Sequence, residues 1–280
     1  MDCIDALIMG IVQGLAEYLP ISSSGHLEIC RSILGLDLSG ADALEFDLTL
    51  HVATVLSTIV VLWHEFLPLC KSFFTLRNDA NTNYVLKILL SCVPVAIVGL
   101  CFKDVVEGFF GGGLTIVGVC LLITAALLYF AYAFRTRPDS ESAAGGHKER
   151  GHDITWRDAF IIGCAQAVAV LPGLSRSGTT IATGLMLGDR RDKVAQFSFF
   201  MVIIPILGEA LLDVKDMAAG SSAAAQAIGW APLAIGFMAS FVVGCAACRW
   251  MISLVKRGKL VWFAYYCVVV GLLCIFWNMF

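Results

Sequence analysis

Glu17, Ser23, His26 and Arg176 are the residues of this chain best placed to do chemistry, because each lies in or beside an apolar stretch where an ionisable group is costly. They belong to two runs about 150 residues apart, Gln13-Gly14-Leu15-Ala16-Glu17-Tyr18-Leu19-Pro20-Ile21-Ser22-Ser23-Ser24-Gly25-His26 and Gln166 through Leu171-Pro172-Gly173-Leu174-Ser175-Arg176-Ser177-Gly178-Thr179-Thr180. With one extra residue in the second run, both read Leu-Pro-x-Ser-(Ser/Arg)-Ser-Gly. An ionisable group at membrane depth costs roughly 2.5 to 3.5 kcal/mol, so its presence points to function. Gln13 and Glu17 are four residues apart and share one face of a helix. Pro20 ends that helix. Ser22, Ser23 and Ser24 then open a new apolar stretch, serine being a favoured N-cap, and a helix N-terminus with free N–H groups attracts anions. The second run repeats the device at Ser175, with Arg176 and Ser177 in the first turn and Thr179 and Thr180 beyond. Brought together, two helix N-termini, a guanidinium fork, hydroxyls and a carboxylate able to hold a divalent cation suit a phosphate or diphosphate. His26 adds a base, acid or nucleophile. A plainer reading of the same residues makes the serines helix packing and Arg176 with Glu17 a buried neutralising pair.

These residues need elements that carry them into a bilayer. Of 280 residues, 59% are hydrophobic and 15% charged, well below the quarter charged of a soluble domain. Apolar runs of about 20 residues, the length that crosses the hydrocarbon core, fall at 44–63, 84–102, 113–134, 194–212, 228–248 and 260–279, predicting six transmembrane helices. The runs 4–19 and 158–171 are shorter, end at a proline with a Ser/Gly turn, and are followed by a second short helical stretch. They read as two re-entrant helix hairpins. Asp2 and Asp5 replace the basic start of a signal peptide, so 4–19 is expected to stay in the fold. The eleven cysteines follow no metal or disulfide pattern, and Cys245 and Cys248 lie in a small-residue stretch suited to helix packing. No basic groove suggests nucleic acid.

If the loop 135–157 is cytoplasmic, that face carries fifteen Lys and Arg residues against three on the other (Arg31, Lys103, Lys215). The positive-inside bias then puts both termini outside the cytoplasm. The chain is read as an all-α integral membrane protein and one membrane domain: repeat one over 1–134, a charged cytoplasmic linker over 135–157, and repeat two over 158–280. Each repeat is a hairpin plus three spans, and three is odd, so the second copy is inverted and the hairpin tips can meet near the midplane. His147 and His152 are expected on the surface. Glu45, Asp47 and His51 are expected to be interfacial and structural, and Glu209 and Asp213 to be polar helix-end residues.

Gln-Gly-Leu-Ala-Glu-Tyr-Leu-Pro-Ile-Ser-Ser-Ser-Gly-His-Leu, from Gln13 to Leu27, together with Leu-Pro-Gly-Leu-Ser-Arg-Ser-Gly-Thr-Thr, from Leu171 to Thr180, resembles the paired motifs of the bacterial undecaprenyl-diphosphate phosphatases, the bacitracin-resistance family. The resemblance implies a multi-pass enzyme of the bacterial inner membrane that removes the terminal phosphate of undecaprenyl diphosphate, a lipid substrate held in the bilayer. The product is the lipid carrier of peptidoglycan synthesis. It implies Glu17 as the essential acid, Ser23 as nucleophile, His26 as its partner, and Arg176 as the diphosphate-binding residue, with Ser22, Ser24, Ser175, Ser177 and Thr180 around the substrate. It also implies a divalent cation, Mg²⁺ or Ca²⁺, at Glu17 and Gln13. One departure stands out: the family often carries Glu at position 13, where this chain has Gln.

Two rivals compete with that reading. A secondary transporter or lipid flippase uses the same inverted repeat, and phosphate release separates it from an enzyme. Another membrane phosphatase class shares Pro-Ser-Gly-His and Ser-Arg but needs a further His downstream, and no histidine follows His152. The oligomeric state is left open by the sequence.

Overall fold

The computed structural model describes residues 1–36, 40–102, 113–136, 151–216 and 228–277. All regular structure among them is helical. The helices are α1 (Cys3–Ala16), α2 (Ser23–Leu34), α3 (Gly40–Val61), α4 (Trp63–Phe74), α5 (Ala80–Cys101), α6 (Gly113–Thr136), α7 (Trp156–Val168), α8 (Arg176–Leu187), α9 (Arg191–Met201), α10 (Ile203–Asp216), α11 (Trp230–Lys256) and α12 (Val261–Trp277). Among the described residues, four stretches are long and apolar enough to cross a membrane: Asp42–Val61, Ala80–Cys101, Gly113–Phe134 and Trp230–Lys256. Large apolar side chains such as Leu100, Phe130, Trp262 and Leu273 point out of the molecule, where lipid and not water suits them.

The elements differ from the sequence reading in two places. The apolar run 194–212 is two helices, because α9 stops at Met201 and α10 begins at Ile203. Pro205 in α10 has no N–H to return to the carbonyl four residues earlier, and that carbonyl, Met201 O, accepts the Cys92 thiol at 3.4 Å instead. The interval between the expected spans 44–63 and 84–102 carries most of α4. The last span is described only as far as Trp277. The middle of the proposed linker, with His147, and the side chains of Glu209 and Asp213 lie outside the described residues. Its end is held firmly: His152 N donates to Gly188 O at 3.2 Å, and Arg190 N donates to His152 O at 2.9 Å. The bond of the His152 ring to Asp153 O, with Asp189 and Asp158 alongside, holds this imidazole above the usual histidine range.

The two halves meet through small residues. α1 packs on α11 while α7, its sequence counterpart, packs on α5. At the first contact a methyl group added to Gly14 would stand 2.7 Å from Ser240 O, so only glycine lets the backbones approach this closely. α6 and α12 touch at Gly118 and Gly271, where a methyl on either would collide with the other's carbonyl, at 2.6 and 2.8 Å. Such contacts are how helices associate where hydrophobic burial offers little gain.

Candidate active site

The site begins at the end of α1. Gln13 and Glu17 share a face as the spacing requires, and Gln13 Nε2 donates to Glu17 Oε2 at 2.9 Å. Tyr18, fully buried beside them, pins this end of the hairpin to α3 by donating to Thr54 O at 2.6 Å and by contacting the hydroxyls of Ser57 and Thr58. The chain then turns through Pro20 and Ile21 to Ser22. Ser22 has φ +70°, a left-handed conformation that costs a residue with a side chain roughly 1 kcal/mol or more. Its hydroxyl accepts from Gly25 N at 3.2 Å, and α2 starts at Ser23.

The second hairpin repeats the cap: Ser175 Oγ accepts from Gly178 N at 3.0 Å, and α8 starts at Arg176. Here the positive φ falls on Gly173 (+87°), which adopts it without penalty. Ser23 and Arg176 are therefore the first residues of equivalent helices, and both reach Glu17. Ser23 Oγ donates to Glu17 Oε2 at 2.7 Å, and an Arg176 terminal nitrogen lies 3.8 Å from Glu17 Oε1. The hairpin tips touch directly, Ser177 Oγ donating to Leu19 O at 3.3 Å. Beside them a cavity of about 20 Å³, room for roughly one water, is lined by Glu17, Thr58, Gln166, Arg176 and Thr180 among others. It is far too small for a diphosphate. Of the two charged groups Arg176 is the more accessible, its side chain 27% exposed against 8% for Glu17.

Of the remaining residues expected at the site, Ser24 Oγ lies 3.4 Å from Ser22 Oγ and Ser175 Oγ 3.4 Å from Ser177 Oγ, each pair closing its own turn. Thr180 faces α9, its hydroxyl bonded to Arg176 O at 2.8 Å and to Ser198 Oγ at 2.6 Å. His26 is adjacent but engaged elsewhere: Nδ1 contacts Ser22 O at 2.8 Å, Nε2 contacts the Tyr266 hydroxyl at 2.7 Å, and its ring stacks on Tyr266. The Ser23 hydroxyl thus bonds to Glu17, while both His26 nitrogens have other partners.

Position 51 was not among the site residues anticipated from sequence. His51, on α3, puts Nε2 3.4 Å from Glu17 Oε2. A histidine inside the apolar run of α3 was the available signal. Its neighbour Asp47 instead pairs with Arg31, which also binds Glu28 at 3.0 Å.

The donors around Glu17 suit a divalent cation. Gln13 Oε1 and His51 Nε2 are buried and without hydrogen-bond partners, and both side chains contact Glu17. A half-turn of the Gln13 amide brings its oxygen to the carboxylate. The set fits a cation that shares its remaining ligands with a phosphate.

The family described as "Bacitracin resistance protein BacA" matches residues 6–273. The chain belongs to the BacA family. Proteins named undecaprenyl-diphosphatase from Parabacteroides distasonis and Bacteroides thetaiotaomicron are 54% identical over 275 residues and 52% identical over 272 residues, covering 98% and 97% of both chains. One of that name from Methanosphaera stadtmanae is 33% identical over 290 aligned positions, covering 98% of each chain. The match to the BacA family spans both hairpins, α11 and most of α12.

Proposed function

We propose that this chain hydrolyses undecaprenyl diphosphate to undecaprenyl phosphate and phosphate, recycling the lipid carrier of peptidoglycan synthesis and thereby conferring bacitracin resistance. The observation that carries the reading is the convergence of Ser23 from one hairpin and Arg176 from the other on the single carboxylate of Glu17. The BacA family and its relatives named undecaprenyl-diphosphatase supply the substrate class.

In the proposed reaction Arg176 and the amides opening α2 and α8 bind the diphosphate oxygens. The Ser23 hydroxyl is already hydrogen-bonded to Glu17, which takes its proton as Ser23 Oγ attacks the terminal phosphorus. The new Ser–O–P bond forms as the bridging P–O bond breaks, and undecaprenyl phosphate leaves. Water then cleaves the phosphoserine, taking the proton path in reverse and releasing phosphate. Positioning and charge stabilisation supply most of the acceleration, as is general for phosphoryl transfer. A divalent cation held by Glu17 and Gln13 would screen the charge on the phosphate oxygens. His26, stacked on Tyr266, holds the Ser22 carbonyl and with it the turn that presents Ser23. The test is phosphate release from undecaprenyl diphosphate by the detergent-purified chain, with and without chelator. Release that stops with chelator and returns with metal is expected; no release under any metal would overturn the reading.

The arrangement proposed in the membrane is six crossings plus two re-entrant hairpins, in the bacterial inner membrane with both termini outside the cytoplasm. The exchanged packing of α1 on α11 and α7 on α5 supports two halves of opposite orientation. Labelling of a cysteine appended after Phe280 by an impermeant maleimide on intact spheroplasts is expected. Protection there, with labelling only after lysis, would sink both the orientation and the inverted repeat.

A further inference from the structure

His51 Nδ1 lies 2.7 Å from the carbonyl oxygen of Asp47. A carbonyl only accepts, so Nδ1 carries the proton, and in the neutral ring Nε2 presents a bare lone pair. That nitrogen is buried, has no hydrogen-bond partner, and faces Glu17 Oε2 at 3.4 Å. Two lone-pair atoms opposed at this distance repel unless something positive, a proton or a metal cation, lies between them. A backbone carbonyl holding the remote N–H is also how proteins fix the tautomer of a metal-ligating imidazole. Two bonds of about 2.1 Å meeting at a tetrahedral angle hold their ligand atoms about 3.4 Å apart. The Gln13 amide meets the same carboxylate oxygen through Nε2, and its Oε1 is a second buried atom without a partner.

We propose that His51 is a nitrogen ligand of a divalent cation at this site, completing a set of one imidazole nitrogen, the Glu17 carboxylate and the Gln13 amide oxygen. The cation's place in catalysis rests on the phosphatase reading, but its binding does not. The chain lacks a second carboxylate at position 13, and the imidazole restores a strong electron-pair donor without adding charge. It also changes the preferred ion. Mg²⁺ and Ca²⁺ favour oxygen ligands throughout, whereas first-row transition ions accept imidazole readily. The site therefore ranks Mn²⁺ and Zn²⁺ ahead of Mg²⁺ and Ca²⁺.

The experiment is Mn²⁺ binding to the full detergent-purified chain without substrate, read by electron paramagnetic resonance, with electron spin-echo modulation reporting directly bonded nitrogen. The parent is expected to bind Mn²⁺ with ¹⁴N modulation that becomes ¹⁵N modulation when only histidine is ¹⁵N-labelled. His51→Gln should weaken binding roughly 10- to 100-fold and abolish the modulation. Glu17→Gln should abolish binding. His152→Ala should leave the signal unchanged; this residue belongs to the one other group of described residues, His152, Asp158 and Asp189, close enough to hold an ion. Bound Mn²⁺ with no nitrogen modulation, modulation that survives in His51→Gln, or no Mn²⁺ binding at all would overturn the inference. The labelled parent shows whether any imidazole binds the ion, and the contrast between His51→Gln and His152→Ala assigns it to one of the two places. Phosphate release measured on the same samples separates the two readings: hydrolysis without a nitrogen signal sinks only the ligand assignment, and a nitrogen signal without hydrolysis sinks only the phosphatase.

Discussion

Arg176→Lys is expected to lower turnover roughly 100-fold while leaving thermal stability near that of the parent. A planar fork binds two phosphate oxygens at once, and an ammonium of the same charge cannot, so the loss falls on donors aimed at the transition state. The geometry argues against a purely structural pair with Glu17. At 3.8 Å the contact is loose, and the Arg176 side chain is the more exposed of the two. Steady-state phosphate release and a melting curve for the same preparation check this. Near-normal turnover in the lysine variant would reduce Arg176 to a point charge.

Ser23→Ala and Glu17→Gln should each cut hydrolysis by about three orders of magnitude or more, and the double variant should be hardly worse than either single. Residues that act as one unit lose their effect together. The hydrogen bond from Ser23 Oγ to Glu17 Oε2 makes these two residues that unit. Losses that multiply in the double variant would mean that the two act in separate steps. The comparison is best made by single-turnover phosphate release with enzyme in excess, which isolates the chemical step.

The hairpins were legible because their determinants are local. Pro20 and Pro172 lie in turns that begin three residues before the expected helix ends, since α1 stops at Ala16 and α7 at Val168, while Ser22 and Ser175 cap the next helices as their type and position suggest. Glu17, Ser23 and Arg176 could be grouped for the same reason, since the two runs place them at matching positions. Hydropathy hid the break between α9 and α10, because Met201, Val202, Ile203 and Ile204 are apolar whether or not a helix runs through them. The consequence of Pro205 depends on a thiol from α5, over a hundred residues earlier in the chain. The role of His51 was hidden for a similar reason. Its contact with Glu17 is created by α3 folding against α1, and the bond that sets its tautomer goes to a backbone carbonyl that carries no sequence signal. The partner of His26, Tyr266, lies 240 residues away and could not be paired with it from spacing.

The left-handed backbone at Ser22 bears on how evolution can tune this molecule. Its counterpart turn spends a glycine at Gly173 and relaxes, while the turn that presents Ser23 keeps a side chain where one is unwelcome. Such a turn does not hold its shape alone; it is clamped by the Tyr18 anchor on α3 and the close fit of Gly14 against α11. The alignment of Ser23 is therefore underwritten by helix contacts far from any phosphate. Substitutions on the α1–α11 seam that leave the protein folded would slacken the turn leading into Ser23 before they melted the fold, so drift there is filtered by the geometry at Glu17 as well as by stability.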